Sequence, residues 1–371
     1  MPSQKALKQL GFWIKLSHNF LRLPISWNKT DLKVELCKKS SKTPNLSFCT
    51  LVSVLFFQLV YLLGQMYKII GSDTTTKCFL DPNGQQSCHG DYIVTSWIII
   101  YTQAYFWSGT VVVNIWMNSR EVVGLVNSVY SVGNRIENAV EQNLPPSSRN
   151  SRQFDTSHIL LLVCKGAFLE DWMACSAAAI MHPSGPQFLS SLAEDKICTF
   201  VLILFSVVCV TLVLISMFFE FAIISFYLIF VIKTLRLIGK SSLSTKSKFR
   251  YYTQLQILNK IQNISFFYRI PHLVWTLSVV TILGNFGTIR LHGVLGTFDL
   301  FTMIVLAILG FAILLTALHY FGSVANESAK FVGVIKPLVQ LEEIPKLQQR
   351  FHAALRYSFF VRGTMLTSSP P

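Results

Sequence analysis

Polar and apolar positions along this chain do not alternate in stripes; they segregate into blocks. Six blocks are long and apolar enough to cross a hydrocarbon layer, which takes about 20 such residues in a helix. They cover 48–70, with Lys68 near the far end, and 92–117, which carries no charge. The third, 158–181, contains Lys165, Glu170 and Asp171, and the fourth, 197–232, is broken only by Glu220. The fifth, 270–289, opens with Pro271 at a position suited to a helix's first turn. The sixth, 296–320, has Asp299 close to its start. As a single helix the fourth block would be about 54 Å long, well beyond a core of about 30 Å. No Gly, Pro or Asn interrupts it, so the pattern predicts one crossing whose inner end projects into water. After Tyr320 the apolar stretches are too short to span. The expected fold is an all-α polytopic membrane helix bundle with six spans. A segment over 1–47 precedes the transmembrane domain, 48–320, and a segment over 321–371 follows it.

Charge placement gives this bundle a direction. Cytoplasmic loops carry the excess of Lys and Arg. Residues 1–47 hold nine basic residues, 118–157 four, 233–267 seven and the segment after Tyr320 six. The alternate loops hold one each, Lys77, Lys196 and Arg290. The N-terminus and the C-terminal segment are therefore expected in the cytoplasm. The apolar residues before the first span (Leu7, Leu10, Phe12, Trp13, Ile14) form no secretory core, so that span is expected to act as its own signal-anchor. The four glycosylation-type tripeptides, at Asn28, Asn45, Asn263 and Asn326, all fall on the cytoplasmic side, where they carry no meaning.

Composition agrees with this reading and excludes others. Of 371 residues, 51% are hydrophobic and 13% charged, with a mean hydropathy of +0.47. Soluble domains carry about a quarter charged residues. The formal net charge of +14 belongs to the loops and forms no arginine-rich or zinc-finger module, so no nucleic-acid partner is expected. The eight His are scattered, without an HExxH, GxSxG or phosphate-cradling glycine motif, and no enzyme, cofactor or metal site is expected. Of eight Cys, only Cys78 and Cys88 share a short polar loop. That loop is expected outside, where the two form either a disulfide or a pair of free thiols.

Charges inside spans are costly and usually paired or functional. Lys165 and Asp171 are six positions apart on opposite helix faces, so they make no i,i+4 pair. Glu170 or Asp171 then faces a water-filled cavity, or both lie at the membrane interface beside Trp172. Glu220 is expected as a solvated residue at the inner mouth of the fourth span. Trp97, Tyr101, Trp172, Phe205, Phe298 and Phe301 fall in the outer halves of neighbouring spans. With Thr302, Asn285 and Asp171 they suit a pocket for a small organic ligand. The alternative is interfacial Trp and Tyr belts with Phe facing lipid.

Several features together resemble the insect-type chemoreceptor superfamily of gustatory and odorant receptors. They are the cytoplasmic N-terminus, the short outer loops, the overlong fourth helix and the basic segment before the fifth span. After the sixth span, Tyr320-Phe321-Gly322 and Ala325-Asn326-Glu327-Ser328-Ala329-Lys330 look like the family's cytoplasmic stretch. Phe359-Phe360-Val361-Arg362-Gly363 is similar to its lead-in to the last helix. The seventh helix of that family carries Thr-Tyr, five apolar residues and Gln-Phe; here Thr367-Ser368-Ser369-Pro370-Pro371 stands where that helix would begin. The resemblance implies a plasma-membrane subunit of a ligand-gated cation channel, a homo- or hetero-tetramer with related subunits joined by anchor-like helices. A small organic tastant or odorant would bind from outside, among the second, third, fourth and sixth spans, at Trp97, Tyr101, Asp171, Trp172, Phe205, Phe298 and Thr302. Two other readings stand beside it, a small-solute membrane carrier and a non-conducting auxiliary subunit of a related receptor.

Overall fold

The computed structural model describes residues 3–37, 43–71, 79–80, 86–87, 90–142, 156–181, 187–192, 195–266, 269–290, 292 and 297–341. Both Cys78 and Cys88, and the C-terminal segment from 342, lie outside the described residues. Along the chain come α1 (Gln4–Leu21), a hairpin of β1 (Ile25–Asn28) and β2 (Lys33–Leu36), and α2 (Thr43–Gly71). A two-residue pair, β3 (Phe79–Leu80) and β4 (Gln86–Ser87), leads to α3 (Gly90–Met117) and α4 (Ser119–Glu141). Then follow α5 (Thr156–Met181), a short 3-10 turn (Leu189–Leu192), α6 (Lys196–Lys240), α7 (Thr245–Phe266), α8 (Arg269–Arg290) and α9 (Thr297–Leu341).

Helices α2, α3, α6, α8 and α9 are long and apolar enough to cross a membrane. In α5 the charges Lys165, Glu170 and Asp171 lower its apolarity, yet its outward face carries Leu162, Val163, Leu169, Met173 and Ile180, all exposed in the bare protein. It packs against α6. The indole of Trp172 donates to Thr211 Oγ1 at 2.9 Å, and Phe168 meets Phe218 edge-on at 5.9 Å, so α5 runs antiparallel along α6. Helix α9 runs antiparallel to α8, with Gly284 facing Ala307 and Gly310 facing Thr281. It runs parallel to α6, where Arg236 pairs with Glu327 and Gly239 lies next to Phe331. Phe48 at the start of α2 stacks on Trp116 near the end of α3, so these two are antiparallel as well. Six helices of alternating direction result. At Gly284 a β-carbon would sit 3.0 Å from the Ala307 nitrogen and the Met303 carbonyl, so glycine lets the α8 and α9 backbones touch.

The fourth block ends differently from its expectation. Helix α6 runs unbroken for 45 residues, but its inner half does not project into water. Ile197, Phe200, Val201, Leu204 and Val208 near its start are exposed, whereas nearly every side chain from Cys209 to Leu235 is buried, on all faces. Helices α1, α4, α7 and α9 enclose that half. An apolar run longer than a bilayer here fills a protein core, as a helix apolar on every side must. Helix α9 likewise passes Tyr320 without a break and continues to Leu341.

Of the enclosing helices, α1, α4 and α7 come from segments that no long apolar block marks. Ser3 caps α1, its hydroxyl accepting from the Ala6 amide at 3.1 Å. The helix buries Leu7, Leu10, Trp13 and Ile14 at i, i+3, i+4 spacing. Gly11 is needed because a β-carbon there would lie 2.5 Å from the Trp27 ring of β1. In α4 a stripe of Val122, Leu125, Val126, Val129, Val132, Ile136 and Val140 faces inward. Asn127 ties α4 to β2, its amide donating to the Val34 carbonyl at 2.8 Å and its oxygen accepting from the Val34 amide at 2.9 Å.

Candidate ligand-binding cavity

Midway through the bundle five helices part around a cavity of about 110 Å³. Helix α3 presents Trp97, Tyr101 and Tyr105 at i, i+4, i+8, one stripe of aromatic side chains, with Trp107 below them. Helix α5 supplies Asp171 and Cys175, again four apart. Helix α6 adds Val210, Val213, Leu214, Met217, Phe218 and Phe221. The wall is completed by Thr276, Leu277 and Val280 of α8 and by Leu306, Leu309, Gly310 and Ile313 of α9. Concave, aromatic and nearly apolar, with a few polar atoms, such a site suits a small organic molecule.

Two polar groups on this wall stand apart. Asp171 is 8% exposed and is the one charged residue among those that line the cavity. No cation pairs with it among the described residues. Thr276 is fully buried, and its Oγ1 has no hydrogen-bond partner among the described residues. Lys165, on the same helix as Asp171, turns to α1 instead, with Nζ 4.5 Å from the centre of the Phe12 ring.

Behind the wall the packing is polar where α3 meets α6. Glu220 is not the solvated residue its position near the inner mouth suggested. It is 0% exposed, and Trp107 Nε1 donates to its Oε2 at 2.6 Å. The reason is the sheath around the inner half of α6, which excludes water from that level. Ser216 donates to Ser108 at 2.7 Å a turn away. Phe218 has a second neighbour, Trp13 of α1, stacked nearly parallel with ring centres 6.1 Å apart. The N-terminal helix thus touches a residue of the cavity wall.

The structure brings together Trp97, Tyr101 and Asp171 of the residues singled out from sequence. The others lie elsewhere. Trp172 is 37% exposed on the outer face of α5. Phe205 is half-buried higher on α6, packed against the core. Thr302 is buried in α9 outside the lining, and Asn285 donates to the Thr281 carbonyl of its own helix at 2.9 Å. Phe298 belongs to α9, but its side chain is outside the described residues. Tyr105, Trp107 and Thr276 were not singled out. Tyr105 continues the i, i+4 spacing from Trp97 and Tyr101, a signal that was available; Trp107 and Thr276 carry no local mark.

No family model and no curated protein sequence matches the chain. Among solved structures it is similar to the insect olfactory receptor OR5 from Machilis hrabei, at 11% identity and a TM-score of 0.61, over 94% of this chain and 88% of that one. The same receptor in complex with eugenol aligns at 12% identity and a TM-score of 0.58, over 95% and 88%. The chain therefore has the fold of that receptor, a helical membrane bundle.

Proposed function

We propose that this chain is a chemosensory receptor subunit of the plasma membrane. A small organic ligand binds from outside in the cavity walled by Trp97, Tyr101, Asp171, Trp107 and Phe218, and the subunit assembles with related subunits as a ligand-gated cation channel, gustatory in type. The observation that carries this reading is the aromatic cavity itself, in a fold shared with an olfactory receptor solved in complex with eugenol. Its closure by five different helices supplies a mechanism: a ligand that fits one arrangement of those helices better than another shifts the balance between closed and open states.

Whole-cell recording from cells that express the chain, alone and with related subunits, tests the proposal against a panel of small volatile and taste-active organics that includes eugenol. The expected result is an inward cation current that Trp97→Ala reduces at least about tenfold in sensitivity while surface expression holds. Ligand binding without current under any pairing would remove the channel and keep the receptor. Solute uptake without current would replace both by a carrier.

A further inference from the structure

We propose that the cavity selects small organic ammonium ions, a ligand class that deepens the receptor reading and rests on it. The starting point is the charge balance of the site. Asp171 brings a carboxyl into the middle of a helix bundle, where it is 8% exposed on a helix packed along the apolar α6. Such a group is expensive unless a cation completes it. The protein does not complete it: no cation pairs with Asp171 among the described residues, and no basic side chain lines the cavity. Lys165, the cation closest in sequence, is engaged with the Phe12 ring on the far side of α5. Glu170, its other charged neighbour in sequence, is exposed on the outer face and has the same sign.

The rest of the wall is chemically suited to the missing cation. Trp97, Tyr101, Tyr105 and Trp107 form an aromatic row on α3, and ring faces attract ammonium groups most strongly when water is excluded. Thr276 of α8, also in the lining, offers an oxygen with no hydrogen-bond partner among the described residues. A primary or secondary ammonium ion has N–H donors for the Asp171 carboxylate and for Thr276 Oγ1, and a hydrocarbon body for Leu277, Leu306 and Ile313. An organic anion would face an uncompensated carboxylate. A neutral molecule of the same shape would leave that carboxylate without its counter-charge.

The test uses the full chain, purified in lipid nanodiscs, with two isosteric probes, 2-phenylethylammonium and 2-phenylethanol, titrated against tryptophan fluorescence and by calorimetry. The expected result is at least about tenfold tighter binding of the ammonium probe. Asp171→Asn brings the two affinities to within about twofold, chiefly by weakening the ammonium probe. Thr276→Val weakens the ammonium probe with Asp171 intact. Because the ratio is measured on the unaltered protein, the outcome does not depend on how any variant folds. Equal affinities, or tighter binding of the alcohol, overturn the ammonium preference and leave the cavity reading in place. A ratio that survives Asp171→Asn in folded protein overturns the assignment to Asp171. Binding of neither probe overturns both this inference and the small-molecule site on which it rests.

Discussion

Trp107 and Glu220 are 113 positions apart in the chain and 2.6 Å apart in the fold. A buried carboxylate that loses a hydrogen-bond donor is left with an uncompensated part of its charge, a cost of about 1.5–3 kcal/mol. Trp107→Phe keeps an aromatic ring at the cavity wall but removes the donor and part of the indole's volume, so it should lower stability by at least about 2 kcal/mol. Glu220→Leu in the same background removes the charge that lacks its donor and should restore part of the loss. Equilibrium unfolding of the two single variants and the double variant gives the coupling directly; a value under about 0.5 kcal/mol would mean that the pair does not act as a unit. This residue scale is where sequence reading reaches least far. Asp171 was legible because a charge in an apolar block stands out, and Trp97 and Tyr101 because they sit together in an outer half-span. Glu220 stood out in the same way, but its surroundings were misread: burial there depends on α1, α4, α7 and α9, which no residue near position 220 encodes. Thr276 and Trp107 line the cavity only by virtue of what faces them.

At the level of elements, hydropathy finds helices that face lipid and says little about helices that face protein. The apolar blocks behind α2, α3, α6, α8 and the first part of α9 were plain because each presents an apolar surface over a bilayer's thickness, whereas the charges in α5 weaken its block. Helices α1 and α4 are amphipathic, with one buried stripe and one wet face, and their mean hydropathy does not distinguish them from loops. Their importance to the site shows in the packing. Trp13 of α1 stacks on Phe218, and Phe218 lines the cavity. Trp13→Ala should therefore destabilise the bundle by about 3–5 kcal/mol and also weaken ligand binding, although Trp13 is not in the wall. Trp13→Phe, which refills most of the space, should recover most of both. Thermal unfolding and probe titration on the same preparations check this. A Trp13→Ala protein that loses stability but binds normally would separate α1 from the site. The α8–α9 contact sets the opposite wall by close approach, so Gly284→Leu should drive those backbones apart and cost about 1–3 kcal/mol by overpacking.

For the molecule as a whole, the strongest constraint is that one helix connects two environments. Helix α6 is 45 residues long, about 68 Å at 1.5 Å per residue, against a hydrocarbon core of about 30 Å. Its first turns are apolar and uncovered, as lipid-facing residues are, and its last half is sheathed by protein among the basic segments. At that sheathed end Arg236 of α6 and Lys330 of α9 both reach Glu327, at 3.2 and 3.6 Å. Tyr252 of α7 stacks on Phe331 of α9 and hydrogen-bonds Ser328. The motif around residues 325–330, legible in sequence only as a resemblance, is thus the joint where α6, α7 and α9 meet. This arrangement makes a topological prediction that a single pair of labels decides. Cys198 lies exposed at the start of α6, and Lys246 lies exposed just beyond its end, at the start of α7. In a background lacking the other cysteines, Cys198 should react with a membrane-impermeant maleimide on intact cells, whereas Lys246→Cys, with Cys198 also replaced, should react only after permeabilisation. Labelling of both from the same side would mean that α6 does not cross, and a reversed pattern would place the basic end outside. Since α6 contributes six residues of the cavity wall and runs from one end of the bundle to the other, the expected pattern would also orient the cavity and Asp171 relative to the two faces of the membrane.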